Sequence, residues 1–393
     1  MGLKSYPMIY FELMFTSLTL IMGMSLSSAF LPIFANELDP SGVLVGFVVS
    51  AWFFSRIFTE LPSGVLADRF GRRKLLMGGL VISAVGAFIC SIADFIYPLI
   101  IGRAIWGLGT ALFFMGNTAL ILELFKSTMR GRALGVFQGI EFTGSFIGAP
   151  IGAFMAEIIG YKRVFSLAFM LILCSFSVAF ISKGLRQMGN KKIEGQSLSL
   201  KKTFSSLRSL SLIAICINSL SRSLIAMGAI STILPLYLNH QLGISVELIG
   251  VVMSLRTAGI IVATMTSGYL SDIFGRKPMI VLGILMEICS LYLYTLPSSF
   301  EMFLPVGFLG GFGGGMTLTS LIVLLSEAVP AKFRGGAIGM YRTFMDIGGF
   351  IGPPLFMILF SSLGTYVTFL SAIAILALNI ALMMKAKGRR IEE

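Results

Sequence analysis

The sequence predicts an all-α membrane protein, with twelve transmembrane helices arranged as two six-helix parallel repeats. Three observations carry that expectation. Of 393 residues, 56% are hydrophobic and only 12% are charged, about half the roughly 25% charge of a soluble domain, and the mean hydropathy is +0.92. Between the charge clusters, nearly every stretch is long enough to cross a bilayer as a helix, which takes about 20 residues. Finally, the segment Gly64-Val65-Leu66-Ala67-Asp68-Arg69-Phe70-Gly71-Arg72-Arg73 returns as Gly268-Tyr269-Leu270-Ser271-Asp272-Ile273-Phe274-Gly275-Arg276-Lys277, an offset of 204 residues. The same offset carries Gly46 to Gly250, Gly107 to Gly311, Glu123 to Glu327, Gly144 to Gly348 and Pro150 to Pro354. A repeat this long in apolar sequence points to a transporter built from two like halves.

Taken in order, the apolar runs place spans at 8–35, 43–66, 75–93, 96–125, 133–159 and 163–184. The second six fall at 207–239, 245–270, 278–297, 300–327, 336–362 and 365–385. Six spans per half is an even number, so both halves enter the membrane from the same side and the repeat is parallel. The divisions are therefore an N-terminal bundle over 1–184, a polar linker over 185–206 and a C-terminal bundle over 207–393.

The net charge of +12 reports topology and not nucleic-acid binding, because Lys and Arg crowd into alternate loops. One side holds Lys4, Arg69, Arg72, Arg73, Lys74, Lys126, Arg130, Arg132, the basic linker, Arg276, Lys277, Lys332, Arg334 and the tail through Arg390. The opposite loops offer Lys162 and Arg163 beside Glu37, Asp39, Asp94, Glu157, Glu247 and Glu301. The positive-inside rule then makes both termini and the linker cytoplasmic, in a multi-pass cell-membrane protein. The first apolar run exceeds a signal-peptide core and carries Glu12, so it reads as a retained helix. Cys90, Cys174, Cys216 and Cys289 lack metal-ligand spacing and imply neither disulfide nor metal site. No cofactor is expected.

In the repeated loop, Gly64 and Gly71 bracket a tight crossing, with a second such pair at Gly268 and Gly275. Arg73 and Lys74 read as basic anchors of orientation. Asp68 and its counterpart Asp272 are not required by that rule, and an acid beside a helix N-terminus or an Arg can close a gate. Charges inside spans are costly, at roughly 2.5–3.5 kcal/mol each on insertion scales, and belong to a cavity or a partner. They are Glu12, Arg56, Glu60, Arg103, Glu141, Arg222, Arg256, Glu287, Arg342 and Asp346. Arg56 with Glu60 and Arg342 with Asp346 are four apart, so each pair shares a helix face and can neutralise itself, with a place in the proton or substrate pathway, as for Arg256, the other reading. Glu141 and Arg222 have no opposite charge at helical spacing on their own helices and are expected to contact protons or solute. Burial in low dielectric favours the neutral form of a carboxyl. Glu12 and Glu287 read as lipid-facing or interfacial.

These patterns resemble the major facilitator superfamily, whose signature between the second and third helices reads Gly-x-x-x-Asp-x-x-Gly-Arg-Arg or close to it. Both copies here fit it, at Gly64, Asp68, Gly71 and Arg72 and at Gly268, Asp272, Gly275 and Arg276, and the resemblance covers essentially the whole chain. It implies that Asp68 docks on the segment after Arg334 and that Arg72 engages Glu123, latching the cytoplasmic side in the outward-open state. Gly102-Arg103-Ala104-Ile105-Trp106-Gly107-Leu108-Gly109 is similar to the family's fourth-helix motif, whose Arg is linked to proton transfer and matches Arg103. The run Gly144, Gly148, Pro150, Gly152 is similar to the fifth-helix motif of the twelve-helix drug/proton antiporters, although Ala149 separates the Gly and Pro that are usually adjacent. With Gly352 and Pro353 in the second half, it forms a packing set: small residues at four-residue spacing allow close crossing, and Pro bends a span.

Enzyme chemistry finds little support. His240 is the only histidine and sits at the outer end of a span, and the 311–315 glycines lie within an apolar helix, not after a strand as a phosphate loop would. The 23 Met and 34 Phe serve mostly as packing or lipid-facing residues, a minority being free to line a pocket for varied apolar solutes. The expectation is a monomeric secondary transporter with a small-molecule substrate, the lipid bilayer and coupling protons as partners. Efflux of amphipathic or drug-like compounds leads. Symport or facilitated uptake of a sugar or organic acid remains an alternative, as does a sensor that kept the scaffold.

Overall fold

A computed structural model describes residues 7–40, 42–60, 71–125, 127–188, 210–296, 299–329 and 334–385. Gly64 and Asp68, the side chain of Glu60 and the linker beyond Met188 lie outside the described residues, as do the side chains of Arg130 and Arg334.

Every regular element among the described residues is helical. Ten helices are long and apolar enough to cross a membrane, and Val43–Thr59 is a shorter apolar helix. The longest element, Arg334–Lys385, is two spans fused across Gly364, where φ is 77°. Counting it as two gives twelve spans. Spans 3 to 6 are Arg72–Ser91, Ile96–Leu124, Ser127–Ile159 and Tyr161–Ile181, and spans 8 to 10 are Val246–Phe274, Arg276–Tyr294 and Phe300–Ala328.

Two spans depart from the uninterrupted helices expected. Span 1 consists of Met8–Ser25 and Leu31–Leu38, separated by a turn in which Leu31 N–H donates to Ser27 O at 2.8 Å and Pro32 begins the second piece. Span 7 starts as an α-helix at Leu210–Ile225, widens to a π-helix over Ala226–Ile233 and again over Tyr237–Gln241. Thr232 Oγ1 donates to Met227 O five residues back at 2.7 Å. Pro235, which has no N–H to give, follows. Loosened backbone of this kind inside a membrane is tolerated where hydroxyls and neighbouring helices satisfy it.

Glycine sets the repeated corners. Span 3 begins at Gly71 and span 9 at Gly275, with φ of 79° and 89°; Gly160 and Gly364 precede spans 6 and 12 with φ of 84° and 77°. Each pair is related by the 204-residue offset, and only glycine holds such backbone without strain. The linker expected from Leu185 opens instead as a short helix, Lys183–Met188, capped by Ser182 Oγ, which accepts Leu185 N–H at 3.1 Å.

Spans 1, 3, 4, 5 and 6 pack among themselves, and span 2 lies along span 4; spans 7 to 12 repeat the arrangement. Spans 2 and 11 and spans 5 and 8 join the bundles. Gly46 of span 2 lies so close to span 11 that a β-carbon there would sit 2.6 Å from Pro354 Cα, and one at Gly250 of span 8 would sit 2.5 Å from Ala153 Cβ and 3.2 Å from Pro150 Cα of span 5. Gly46 and Gly250, like Pro150 and Pro354, are repeat counterparts, so the two interfaces are the same contact made twice. All of this lies toward the membrane side away from the termini. Nearer the termini side, β-carbons at Gly135 and Gly139 of span 5, Gly268 of span 8 and Gly339 of span 11 would meet nothing within 4 Å among the described residues. Among the described residues, the close contacts between the bundles lie toward one end, and the glycines toward the other end have none.

Candidate functional site

Where the bundles meet, charged residues from three spans converge. Arg56 of span 2 donates through Nε to Asp346 Oδ2 of span 11 at 3.3 Å, with side-chain exposures of 11% and 0%. Its guanidinium also lies over the Trp52 ring, 4.3 Å from the centroid. Glu141 of span 5 is half-buried, and the cations acting on it are Arg342 first and Arg56 second. Asp346 thus binds across the bundle interface, not back to Arg342 as helical spacing suggested. The reason is geometric: Arg342, one turn nearer the open end, is exposed, whereas Asp346 is enclosed where span 2 crosses. Glu141, without a basic partner on its own helix, finds cations on two others.

A second cluster lies wholly inside the second bundle. Arg222 Nη2 donates to Glu287 Oε1 at 3.0 Å and to Gly314 O at 2.7 Å, while Nε reaches Glu287 Oε2 at 3.5 Å. Glu287 was expected at a lipid-facing or interfacial position, and Arg222, which has no opposite charge on its own helix, finds one on span 9. The Glu287 expectation is corrected, because spans 7 and 9 turn these side chains toward each other around span 10. Arg256 lines the same cavity.

Elsewhere the sequence-derived candidates are placed as follows. Arg72 at the start of span 3 contacts Glu123 at the end of span 4. Its counterpart Arg276 binds Glu327 at 3.0 Å and Asp272 at 2.5 Å, and donates to Ser271 Oγ at 2.6 Å. The same join between a third-type and a fourth-type helix is thus built in both halves. Arg103 is 8% exposed, 5.6 Å from the Trp106 ring centroid and beside Cys90. The fold keeps it inside the first bundle. Glu12 accepts a hydrogen bond from Ser182 Oγ, joining the ends of spans 1 and 6. His240 Nε2 is 3.5 Å from Asn36 Nδ2 of span 1.

The glycine stripe of span 5 has a specific target. β-carbons at Gly144, Gly148 and Gly152 would lie 3.0, 2.8 and 1.8 Å from the carbonyl oxygens of Leu18, Met22 and Leu26, so two helices cross in register at four-residue steps. In the second half, Gly348 and Gly352 meet Leu220 O and Leu224 O at 2.1 and 2.3 Å by the same measure. Contacts that the sequence did not indicate complete the closed end. Glu157 Oε1 accepts Val246 N–H at 3.3 Å, and Ser254 Oγ donates to Phe146 O at 3.1 Å. Neither residue stands at a spacing that marks it within its own helix.

Two helical bundles related by an internal repeat, meeting around an ionisable cluster, define the class, and the comparisons name it: the model of the Major Facilitator Superfamily matches residues 13–227 and 212–391. The chain belongs to that family. Along its length it is similar to Multidrug resistance protein 1 of Bacillus subtilis (strain 168), with 27% identity covering 93% of each chain. It is also similar to Quinolone resistance protein NorA of Staphylococcus aureus (strain MSSA476), with 25% identity over 87% of each. In fold it is similar to a bacterial homologue of the human lysosomal transporter Spinster in an inward-facing, unoccupied conformation, with TM-score 0.78, 14% identity and 96% coverage of both chains.

Proposed function

We propose that this protein exports small amphipathic or drug-like solutes in exchange for protons, acting as a monomer in the cell membrane with both termini in the cytoplasm. The observation that carries the reading is Glu141: a half-buried carboxyl of the first bundle under the electrostatic influence of Arg342 of the second bundle and Arg56 of its own. Ionised, it attracts both cations. A proton on Glu141 cancels that attraction and leaves Arg56 to Asp346, so protonation is coupled to the contact that holds the bundles together. A cationic or zwitterionic solute entering the cleft competes with Arg342 for the same carboxylate, which makes solute and proton alternatives at one site. Proteins named for multidrug and quinolone resistance among the relatives support the choice of solute.

On this topology the structure opens to the cytoplasm. Arg72 with Glu123, and Arg276 with Glu327, then brace the cytoplasmic loops, and Asp68 in its repeated loop closes that end in the opposite state.

The test is flux in proteoliposomes with an imposed proton gradient, using a panel of fluorescent cationic and zwitterionic amphiphiles. Uphill movement should follow the gradient, and Glu141→Gln, which fixes the neutral form, should abolish it while counterflow exchange persists. A Glu141→Gln protein that still concentrates solute in response to the gradient would refute the assignment.

A further inference from the structure

The second bundle carries an excess of partly buried positive charge that the exchange mechanism does not use. Arg222, Arg256 and Glu287 line one cavity together with Ile225, Ser290 and Gly310. Two guanidinium groups share one carboxylate. Arg222 uses it, through the forked contacts to Oε1 and Oε2, and adds the Gly314 carbonyl. Arg256, by contrast, has neither ion pair nor hydrogen bond among the described residues; Glu287 acts on it only at longer range, opposed by Arg222. The three residues sit near the middle of spans 7, 8 and 9, where an uncompensated charge is costly.

The cavity is built and not accidental. A β-carbon at Gly314 would come within 2.8 Å of Glu287 Oε1, and one at Gly310 within 2.5 Å of Ser290 Oγ, so both glycines are needed to admit the polar groups. Free space of about 20 Å³ remains between them, more than the roughly 10–15 Å³ that one water-sized particle requires. Its donors are the guanidinium N–H groups, which cannot accept a hydrogen bond; the one proton of the Ser290 hydroxyl is taken by Val306 O at 2.9 Å. A net charge of plus one, donors and halide-sized space together select a small anion.

We infer that Arg256, with Arg222 and Glu287, forms a binding site for one monovalent anion in the core of the second bundle, taking a free halide or the carboxylate of a solute. The anion sits against Arg256 and completes the charge balance that Glu287 begins. This inference does not depend on proton exchange at Glu141, and its test measures binding and not flux.

The full-length protein, purified in gluconate, is titrated with sodium chloride, sodium bromide or sodium acetate at constant ionic strength, and its thermal unfolding midpoint is followed. The midpoint should rise saturably with one of these anions over gluconate, because a ligand of the folded state stabilises it by mass action. A response to chloride and bromide identifies the free ion, and a response to acetate alone identifies the solute carboxylate. Arg256→Gln should abolish the response and Arg256→Lys, which keeps the charge without the fork, should weaken apparent affinity by about tenfold. Glu287→Gln should tighten it, since the competing negative charge is gone. Equal midpoints in all four salts, or an unchanged response in Arg256→Gln, would overturn the site. Should Arg256→Gln fail to fold, unaltered affinity in both Arg256→Lys and Glu287→Gln overturns it equally.

Discussion

Asp346 and Arg56 form the one ion pair among the described residues that joins the two bundles within the membrane, and it has no repeat counterpart: the matching positions are Phe142 and Ile260. The symmetric scaffold therefore carries an asymmetric charge. Removing one partner of an enclosed pair strands the other, at a cost on the order of 3–5 kcal/mol. Asp346→Asn should accordingly lower the unfolding midpoint markedly, and the exchanged pair, Arg56→Asp with Asp346→Arg, should recover a good part of the loss. No recovery in the exchanged protein would show that the pair is not the source of the stability. At this scale the sequence was only half legible. It marked every charged residue of both clusters as unusual, because a charge inside an apolar run stands out by its cost. It could not say which would meet. Helical spacing offers partners on one helix only, and so it assigned Asp346 to Arg342 and left Arg222 unpaired, whereas the contacts to Arg56 and Glu287 depend on how helices far apart in the chain are turned.

Helices meet here through glycine, and the same residue type does opposite work at two ends of span 5. At Gly144, Gly148 and Gly152 the neighbour is the carbonyl ladder of span 1, so a side chain has nowhere to go; at Gly135 and Gly139 nothing lies within 4 Å. The first set fixes span 5 to its own bundle, and the second leaves its other end smooth for a partner that arrives only when the bundles close there. Gly152→Ala, whose β-carbon would fall 1.8 Å from Leu26 O, should destabilise the protein by about 1–3 kcal/mol, the usual cost of overpacking. Gly139→Ala should leave stability unchanged or slightly raised, since alanine favours helix. Comparable losses from both substitutions, measured as unfolding midpoints in the same detergent, would remove the distinction. Hydropathy located the spans to within a few residues because lipid imposes a minimum apolar length. The turn at residues 26–30 and the π-helical stretch of span 7 escaped it, since both depend on hydroxyl and proline chemistry inside a run that remains apolar throughout.

For the whole molecule, the repeat explains why closing one end opens the other. Spans 2 and 11 and spans 5 and 8 make the same contact twice, Gly46 on Pro354 and Gly250 near Pro150, about the pseudo-twofold relation of the halves, so a rocking motion that separates one interface separates both. The proposed topology turns the basic loops toward the cytoplasm, as the positive-inside rule expects. Orientation and state can be tested in a single set of cysteine variants. Cys174 and Cys289 are exposed and must first be replaced, while Cys90 and Cys216 are buried. In that background, cysteines at Gln196 in the linker and Arg389 in the tail should react with a membrane-impermeant maleimide only from the cytoplasmic face, in inverted vesicles and not in intact cells. Cysteines at Gly139 and Gly339 should react from the same face, because both positions border the open cleft. A proton gradient or saturating solute that drives the bundles together at that end should protect these two and leave Gln196 and Arg389 unaffected. Labelling of the linker or tail from outside would reverse the topology, and with it the direction of export. Labelling of all four from the cytoplasm without any protection would leave the orientation standing and refute closure at that end.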